Sequence, residues 1–169
     1  ISLLNYGATE EGVRSFMVWG LGSFANVTTD RLPAFAITMA VGILAALLMA
    51  KPLNALLLGH SYAANLGINV PRTRTILLFT TGLLTATSTA FCGPIAFIGL
   101  AVPHIARIIL TTADHRHILP ATLLTGAAIA LLCNLISTLP SSSIIPINVI
   151  TPILGAPVVI GVILSSRQH

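Results

Sequence analysis

The sequence predicts an all-α, polytopic bundle of membrane helices, and three observations predict it. Of 169 residues, 55% are hydrophobic and only 7% charged, against about 25% charged in a soluble domain. Eight basic and four acidic side chains, net +4, cannot cover a water-exposed surface of this size, which makes nucleic-acid binding a poor account of the positive sign. The few charges also partition the chain into uncharged runs of membrane-crossing length. Finally, 13 Gly and 10 Pro suit membrane helices, where neighbouring segments re-satisfy freed backbone groups.

Residues 1–31 read as an external segment. Within it, Ser15 to Phe24 is apolar but only ten residues long and interrupted by Gly20 and Gly22, too short to cross. It reads as a short helix or re-entrant piece with Trp19 at headgroup level, or as a lipid-anchored loop. Leu32 to Ala50 holds nineteen uncharged residues, about 28 Å as a helix, one hydrocarbon thickness. From Arg74 to Arg107 thirty-two residues carry no formal charge, about 48 Å, too long for one span and too short for two. Cys92-Gly93-Pro94 is the strongest breaker there and predicts helices over 76–91 and 95–111, the second beginning below the membrane surface. His117 to Arg167 encloses forty-nine more, divided by Pro140-Ser141-Ser142-Ser143 and Pro146 into spans over 119–138 and 147–165. The expected total is five crossings. Lys51, Arg72, Arg74, Arg107, Arg116 and Arg167 fall on one side and only Arg14 and Arg31 on the other, which makes the first side cytoplasmic. Cys92 and Cys133 lie in apolar sequence without metal or redox spacing and read as small packing residues. Ile1 in place of an initiator Met, with acidic residues close behind, reads as part of a longer chain.

The inner loop, 51–75, carries two helix-length runs each closed by glycine. Pro52 suits a first helical position, Leu58 precedes Gly59, and Ser61 to Leu66 precedes Gly67. Leu53, Leu56 and Leu57 give the first helix an apolar stripe, while Ala63, Ala64 and Leu66 keep the second small. Two readings fit: helices lying on the membrane surface, or a docking element for a cytoplasmic partner.

Several chemistries are missing. Lys51 is the only lysine and follows Ala50, so no phosphate-cradling Gly-Lys-Ser/Thr loop exists. Gly20-Leu21-Gly22 lacks the third glycine of a dinucleotide fingerprint. His104, Asp114, His115 and His117 form the one cluster suggestive of a metal or acid–base site, but His104 sits on a different segment and the others read as a solvated cytoplasmic turn. His104 and Arg107, three apart after Pro103, share a helical face at the inner membrane edge, where snorkelling or the inner loop would satisfy them. Thr80, Thr81, Thr85, Thr87, Ser88 and Thr89 make one span hydroxyl-rich, through back-bonding to carbonyls or as pathway lining. No span contains Asp or Glu, which argues against a secondary transporter coupled through carboxylates but leaves ion sites built from carbonyls and hydroxyls open. A membrane-embedded enzyme using the histidines is the third reading.

Separated strings along nearly the whole chain resemble one family, the permease subunits of ATP-driven importers for iron-siderophores, haem and cobalamin. Trp19 to Phe24 is similar to its external Trp-x-x-Gly-Ser element, and Leu58 to Gly67 (LGHSYAANLG) to its inner-loop Leu-Gly-Glu-x-x-Ala-x-x-Leu-Gly. Gly93 to Arg107 resembles its signature Gly-x-Ile-x-Phe-x-Gly-Leu-x-x-Pro-His-x-x-Arg through Gly93, Phe97, Gly99, Pro103, His104 and Arg107. Asp114-His115-Arg116 and Gly155-Ala156-Pro157 match as well, the latter through Gly155 and Pro157. Members have about ten helices, so five crossings resemble a C-terminal half. The resemblance implies that Leu58, Gly59, His60, Ala63, Ala64, Leu66 and Gly67 form a coupling element seated in a groove of a cytoplasmic ATPase subunit. It implies too that ATP binds that partner, that this chain binds no cofactor or metal and catalyses nothing, and that an external ligand-binding protein and a second permease chain, identical or related, complete an assembly in a bacterial inner membrane. Transport would proceed by alternating access. The sequence departs from the family where His60 replaces the usual Glu, which would make docking pH-sensitive, and where Asn134 and Thr138 replace the usual Asp and Arg.

Overall fold

The computed structural model describes residues 10–139 and 145–166. All regular structure in these residues is helical. The N-terminal part of the described chain forms α1 (Glu10–Gly20), with Glu10 and Glu11 in its first turn, where acidic side chains complement the helix dipole. A 3₁₀ turn (Phe24–Asn26) follows. α2 (Leu32–Leu48) opens with Pro33 in its first turn. It ends one residue before the inner helix α3 (Ala50–Leu57), Met49 serving as the last cap of one and the first of the other. The two meet at a 42° bend, so α3 begins two residues before Pro52.

The helices α4 (His60–Asn65) and α5 (Val70–Cys92) come next. α5 starts six residues before the expected span at 76, which shortens the inner loop from 51–75 to 51–69. The reason is local: Asn69 accepts the Arg72 amide at 3.1 Å and Pro71 stands in the first turn, so Arg72 and Arg74 lie inside the helix. α6 (Ile98–Leu110) starts three residues later than the expected 95, because Phe97 adopts a positive φ of 67° that no helix tolerates. α7 (His115–Thr138) begins at Asp114, whose carboxylate accepts the Arg116 amide at 2.8 Å. His115 and His117 are therefore first-turn helical residues, a correction to the expected turn. α8 (Ile147–Ser166) contains Pro152 and Pro157. The Pro140–Ser143 break lies outside the described residues.

By length and composition, α5 and α7 can each cross a membrane, and the bent α2–α3 pair can count as a third span. α6, at 13 residues, is about 20 Å long, short of the roughly 30 Å of hydrocarbon. α6 packs on α7 and α8, α2 on α5, and α3 on α7. Small side chains make the closest approaches: Ala106 and Cys133 are fully buried, and a Cβ on Gly42 would lie 2.5 Å from Leu84 Cδ2. Leu78, Phe79, Ile108, Ile109, Leu124 and Leu131 are exposed, as expected of a lipid-facing surface. Thr73, Thr80 and Thr87 are buried at seven-residue spacing along α5, while Thr81 turns back to the Leu77 carbonyl at 2.8 Å.

Candidate functional site

The inner loop is built around two glycines, one that links its two helices and one that caps the second. Gly59 follows α3 and precedes α4 with φ 106° and ψ 158°, a conformation essentially confined to glycine. Its carbonyl accepts the Ala63 amide at 3.0 Å, so it opens the second helix as it closes the first. Gly67, φ 79°, ends α4 in a paired arrangement: its amide donates to Ala64 and the Ile68 amide to Ala63, at 2.9 and 3.1 Å. No heavy atom lies within 4 Å of a Cβ built on either glycine. Backbone conformation, not crowding, demands glycine here.

Between the glycines only Ala63 is buried, at 0% exposure, whereas Leu58, Leu66 and Tyr62 are 65%, 58% and 50% exposed. Ala64 and His60 are exposed too. The loop thus turns large apolar side chains outward and anchors itself through a methyl group. His60 Nε2 lies 3.3 Å from an Arg74 guanidinium nitrogen.

A residue absent from the sequence motifs ties this loop to the bundle. Asn54, on α3, donates through Nδ2 to Asp114 Oδ1 at 2.5 Å, and its Oδ1 accepts the His115 amide at 2.8 Å. The His115 ring nitrogen Nδ1 lies 2.8 Å from the same oxygen. The Arg116 amide, then the Asn54 amide, hold the Asp114 carboxyl below its ordinary range, with smaller help from His117 and the Arg116 charge. His117 Nδ1 stands 3.5 Å from Asp114 Oδ2, both groups being well exposed. Asp114, His115 and His117 therefore act as a helix start and a lock on α3. Among the described residues no three His, Cys, Asp or Glu side chains converge as metal ligands.

The other end of the bundle contains a second arrangement. Asn148, at the start of α8, donates through Nδ2 to the carbonyls of Gly20 and Pro94 at 3.1 and 2.6 Å. Its Oδ1 accepts the Ala96 amide at 3.2 Å, and its own amide donates to Leu21 at 3.3 Å. One amide side chain thus satisfies the backbone of the broken segment 93–97 and of the turn after α1. Gly93, φ 79°, is buried against Trp19 and Gly22: a Cβ there would overlap the Trp19 carbonyl and lie 3.2 Å from Gly22 Cα. The Ser23 amide donates to Cys92 at 2.9 Å. At Phe97 the Ile98 amide bonds the Ala96 carbonyl at 2.9 Å, closing a γ-turn. Gly155 makes room for it, since a Cβ on Gly155 would sit 2.7 Å from Phe97 Cβ.

The structure thus brings Gly93 to the Trp19–Gly22 turn and Phe97 to Gly155, pairs that the sequence shows only as separate strings. It brings no such partner to the remaining motif residues. Gly99, His104, Arg107 and Pro157 are exposed and Pro103 is half-buried inside α6. Asn54 and Asn148 escaped sequence reasoning, their only signal being a lone amide in an apolar stretch.

The FecCD transport family matches residues 1–165. The chain belongs to that family. Among FecCD-like proteins, it is 37% identical over 163 residues to the vitamin B12 import system permease protein BtuC of Klebsiella pneumoniae, covering 96% of this chain and 49% of that one. It is 35% identical to the molybdate import system permease protein MolB of Haemophilus influenzae, with 93% and 47% covered, and 32% identical to the hemin transport system permease protein HmuU of Yersinia pestis, with 100% and 51% covered. A solved inward-facing metal-chelate-type ABC transporter superposes with a TM-score of 0.87 at 34% identity, over 98% of this chain and 53% of that one. The chain spans about half the length of the relatives it matches.

Proposed function

We propose that this chain is the C-terminal half of a permease in an ATP-driven importer of a metal chelate, haem, a corrinoid or a related small ligand, crossing a bacterial inner membrane five times. The observation that carries the reading is the inner loop: two helices fixed by conformation-demanding glycines, presenting Leu58, Tyr62 and Leu66 outward and bonded through Asn54 to the start of α7. A surface helix has its apolar side chains inserted in lipid and needs no polar lock to a span. A lever needs both an exposed apolar face for a partner and a stiff connection to what it moves.

On this reading a cytoplasmic ATPase binds and hydrolyses ATP, and this chain binds no cofactor of its own. Closure of the ATPase displaces α3 and α4 together, and the Asn54 bonds to Asp114 and His115 pass the displacement to α7. Because α6 packs on α7 and α8, the displacement reaches the external break at 93–97. A second permease chain, the same or related, forms the other wall of the pathway, and an external binding protein delivers the ligand. The relatives that import vitamin B12, haemin and molybdate support the importer class.

The test is purification of the full-length parent from native membranes in mild detergent. An ATPase recovered at equal stoichiometry is the expected outcome; repeated recovery without one refutes the docking-loop reading and favours a secondary transporter.

A further inference from the structure

A cavity of about 200 Å³ lies between α6, α7 and α8. Val102 and Ile105 of α6, Ile129 and Cys133 of α7, and Thr151 and Gly155 of α8 are among the residues that line it. Thr151 is 2% exposed and Cys133 is fully buried. Threonines elsewhere on these helices settle their hydroxyls on their own backbone: Thr38, Thr73, Thr81 and Thr138 each donate to the carbonyl four residues earlier, at 2.8 to 3.1 Å. Thr151 does not. Its Oγ1 is shut off from solvent and has no hydrogen-bond partner among the described residues. A buried hydroxyl left unpaired is costly, and this one stands on the wall of a cavity that is otherwise almost wholly apolar.

Drug-sized ligands occupy about 300–1,000 Å³, and an apolar cavity of about 150 Å³ takes benzene. The volume here therefore fits one aromatic ring with a small substituent and excludes a bulky chelate. Water suits the cavity poorly, because a buried water needs about two to four polar partners, and the lining side chains offer the Thr151 hydroxyl and the weakly bonding Cys133 thiol. A lipid chain would fill the volume and leave the hydroxyl unpaired. We propose that this cavity is a binding site for a small neutral amphiphile, one ring bearing a single hydroxyl, whose oxygen pairs with Thr151 Oγ1 while the ring lies against Val102, Ile105 and Ile129. The site also touches the break in the bundle. Gly155 lines the cavity and makes room for Phe97, the residue that precedes α6. An occupant therefore braces α6 against α7 and α8 beside that turn. The inference goes beyond the importer reading and stands without it.

The experiment uses the full-length permease in nanodiscs and two probes of nearly equal shape, 4-fluorophenol and 4-fluorotoluene. Binding is followed by fluorine NMR, with empty nanodiscs as the reference for partition into lipid. The wild type is compared with Thr151→Val, which removes the hydroxyl at similar volume, with Thr151→Ser, which keeps it, and with Ala101→Leu, which fills the cavity from α6. Saturable binding of 4-fluorophenol is expected in the wild type, weakened about fivefold by Thr151→Val and retained in Thr151→Ser. The affinity of 4-fluorotoluene should not fall in Thr151→Val, and Ala101→Leu should abolish binding of both. No saturable binding beyond the empty nanodiscs, equal affinity for 4-fluorophenol in Thr151→Val, or binding that survives Ala101→Leu overturns the proposal. Melting of the probe-free protein adds a measurement that does not depend on ligand. Because the hydroxyl has no partner, Thr151→Val should melt at or above the wild-type temperature; a lower midpoint means that the hydroxyl is bonded within the full-length protein and also overturns the proposal. Thr151→Val carries the test alone if Ala101→Leu does not fold. Binding is read on the permease without its ATPase, so this proposal and the importer reading fail separately.

Discussion

The two ends of the bundle use glycine and asparagine in opposite ways. At the loop end Gly59 and Gly67 stand in open space, and the loop they shape turns Leu58, Tyr62 and Leu66 outward. At the outer end Gly93 and Gly155 are where the protein touches itself, against Trp19 and Phe97. Asn54 joins a loop helix to the start of α7 through Asp114 and His115, while Asn148 gathers four backbone groups from two breaks. The loop end keeps its glycines and apolar side chains exposed, and the other end packs its glycines against itself. Substitutions of the same kind should therefore damage function at one end and folding at the other.

The sharpest separation is expected at Gly93. Gly93→Ala combines left-sided backbone strain with overlap at the Trp19 carbonyl, each about 1–3 kcal/mol, so the full-length protein in detergent should lose about 4 kcal/mol of stability and much of its folded yield. A wild-type melting temperature would erase the contrast drawn between the ends. Asn148→Ala ranks next at about 2–3 kcal/mol, three side-chain hydrogen bonds at about 1 kcal/mol each. Asn148→Asp should not rescue it, because the Gly20 and Pro94 carbonyls need a donor; a normal thermal midpoint in the Asp variant would remove Asn148 from its clamping role.

Gly59→Val and Gly67→Val meet no neighbour, and the strain of about 1–3 kcal/mol is confined to an exposed loop. Each should assemble and melt nearly as the wild type yet hydrolyse ATP without transport. Coupled transport in both variants would mean that the loop conformation does not matter to the partner. The smallest effect concerns Asp114. Its folded carboxyl titrates below its ordinary value, so its contribution is fully present above about pH 4 and is lost as pH falls through the folded value. Unfolding measured from pH 6 downwards should show this acid-side loss in the wild type and not in Asp114→Asn; superimposable profiles would deny the cap any part in stability.

Much of this architecture was legible in the sequence because its causes are local. Runs free of charge marked α2, α5, α7 and α8, and Gly93-Pro94 marked the break before α6. Glycines 59 and 67 marked the two loop helices before any partner was invoked. The start of α5 was misjudged by six residues because arginines were taken to exclude membrane helix, whereas Asn69 and Pro71 show that α5 begins before its apolar stretch. The Asn54 and Asn148 contacts were not legible for another reason: their partners lie 60 to 128 residues away, and nothing in an isolated amide says which distant carbonyl it will meet. Phe97 gave no warning either, since its γ-turn is imposed by packing against Gly155.

The brevity of α6 has an electrical consequence. On the importer reading, α6 offers about 20 Å of helix against roughly 30 Å of hydrocarbon, which would leave a thin insulating layer beneath the break. A membrane voltage would fall steeply across such a layer, and each elementary charge crossing 100 mV exchanges about 2.3 kcal/mol with the field. A charged cargo passing there would meet that gradient over a short stretch, so on the importer reading the seal under segment 93–97 guards the stored voltage.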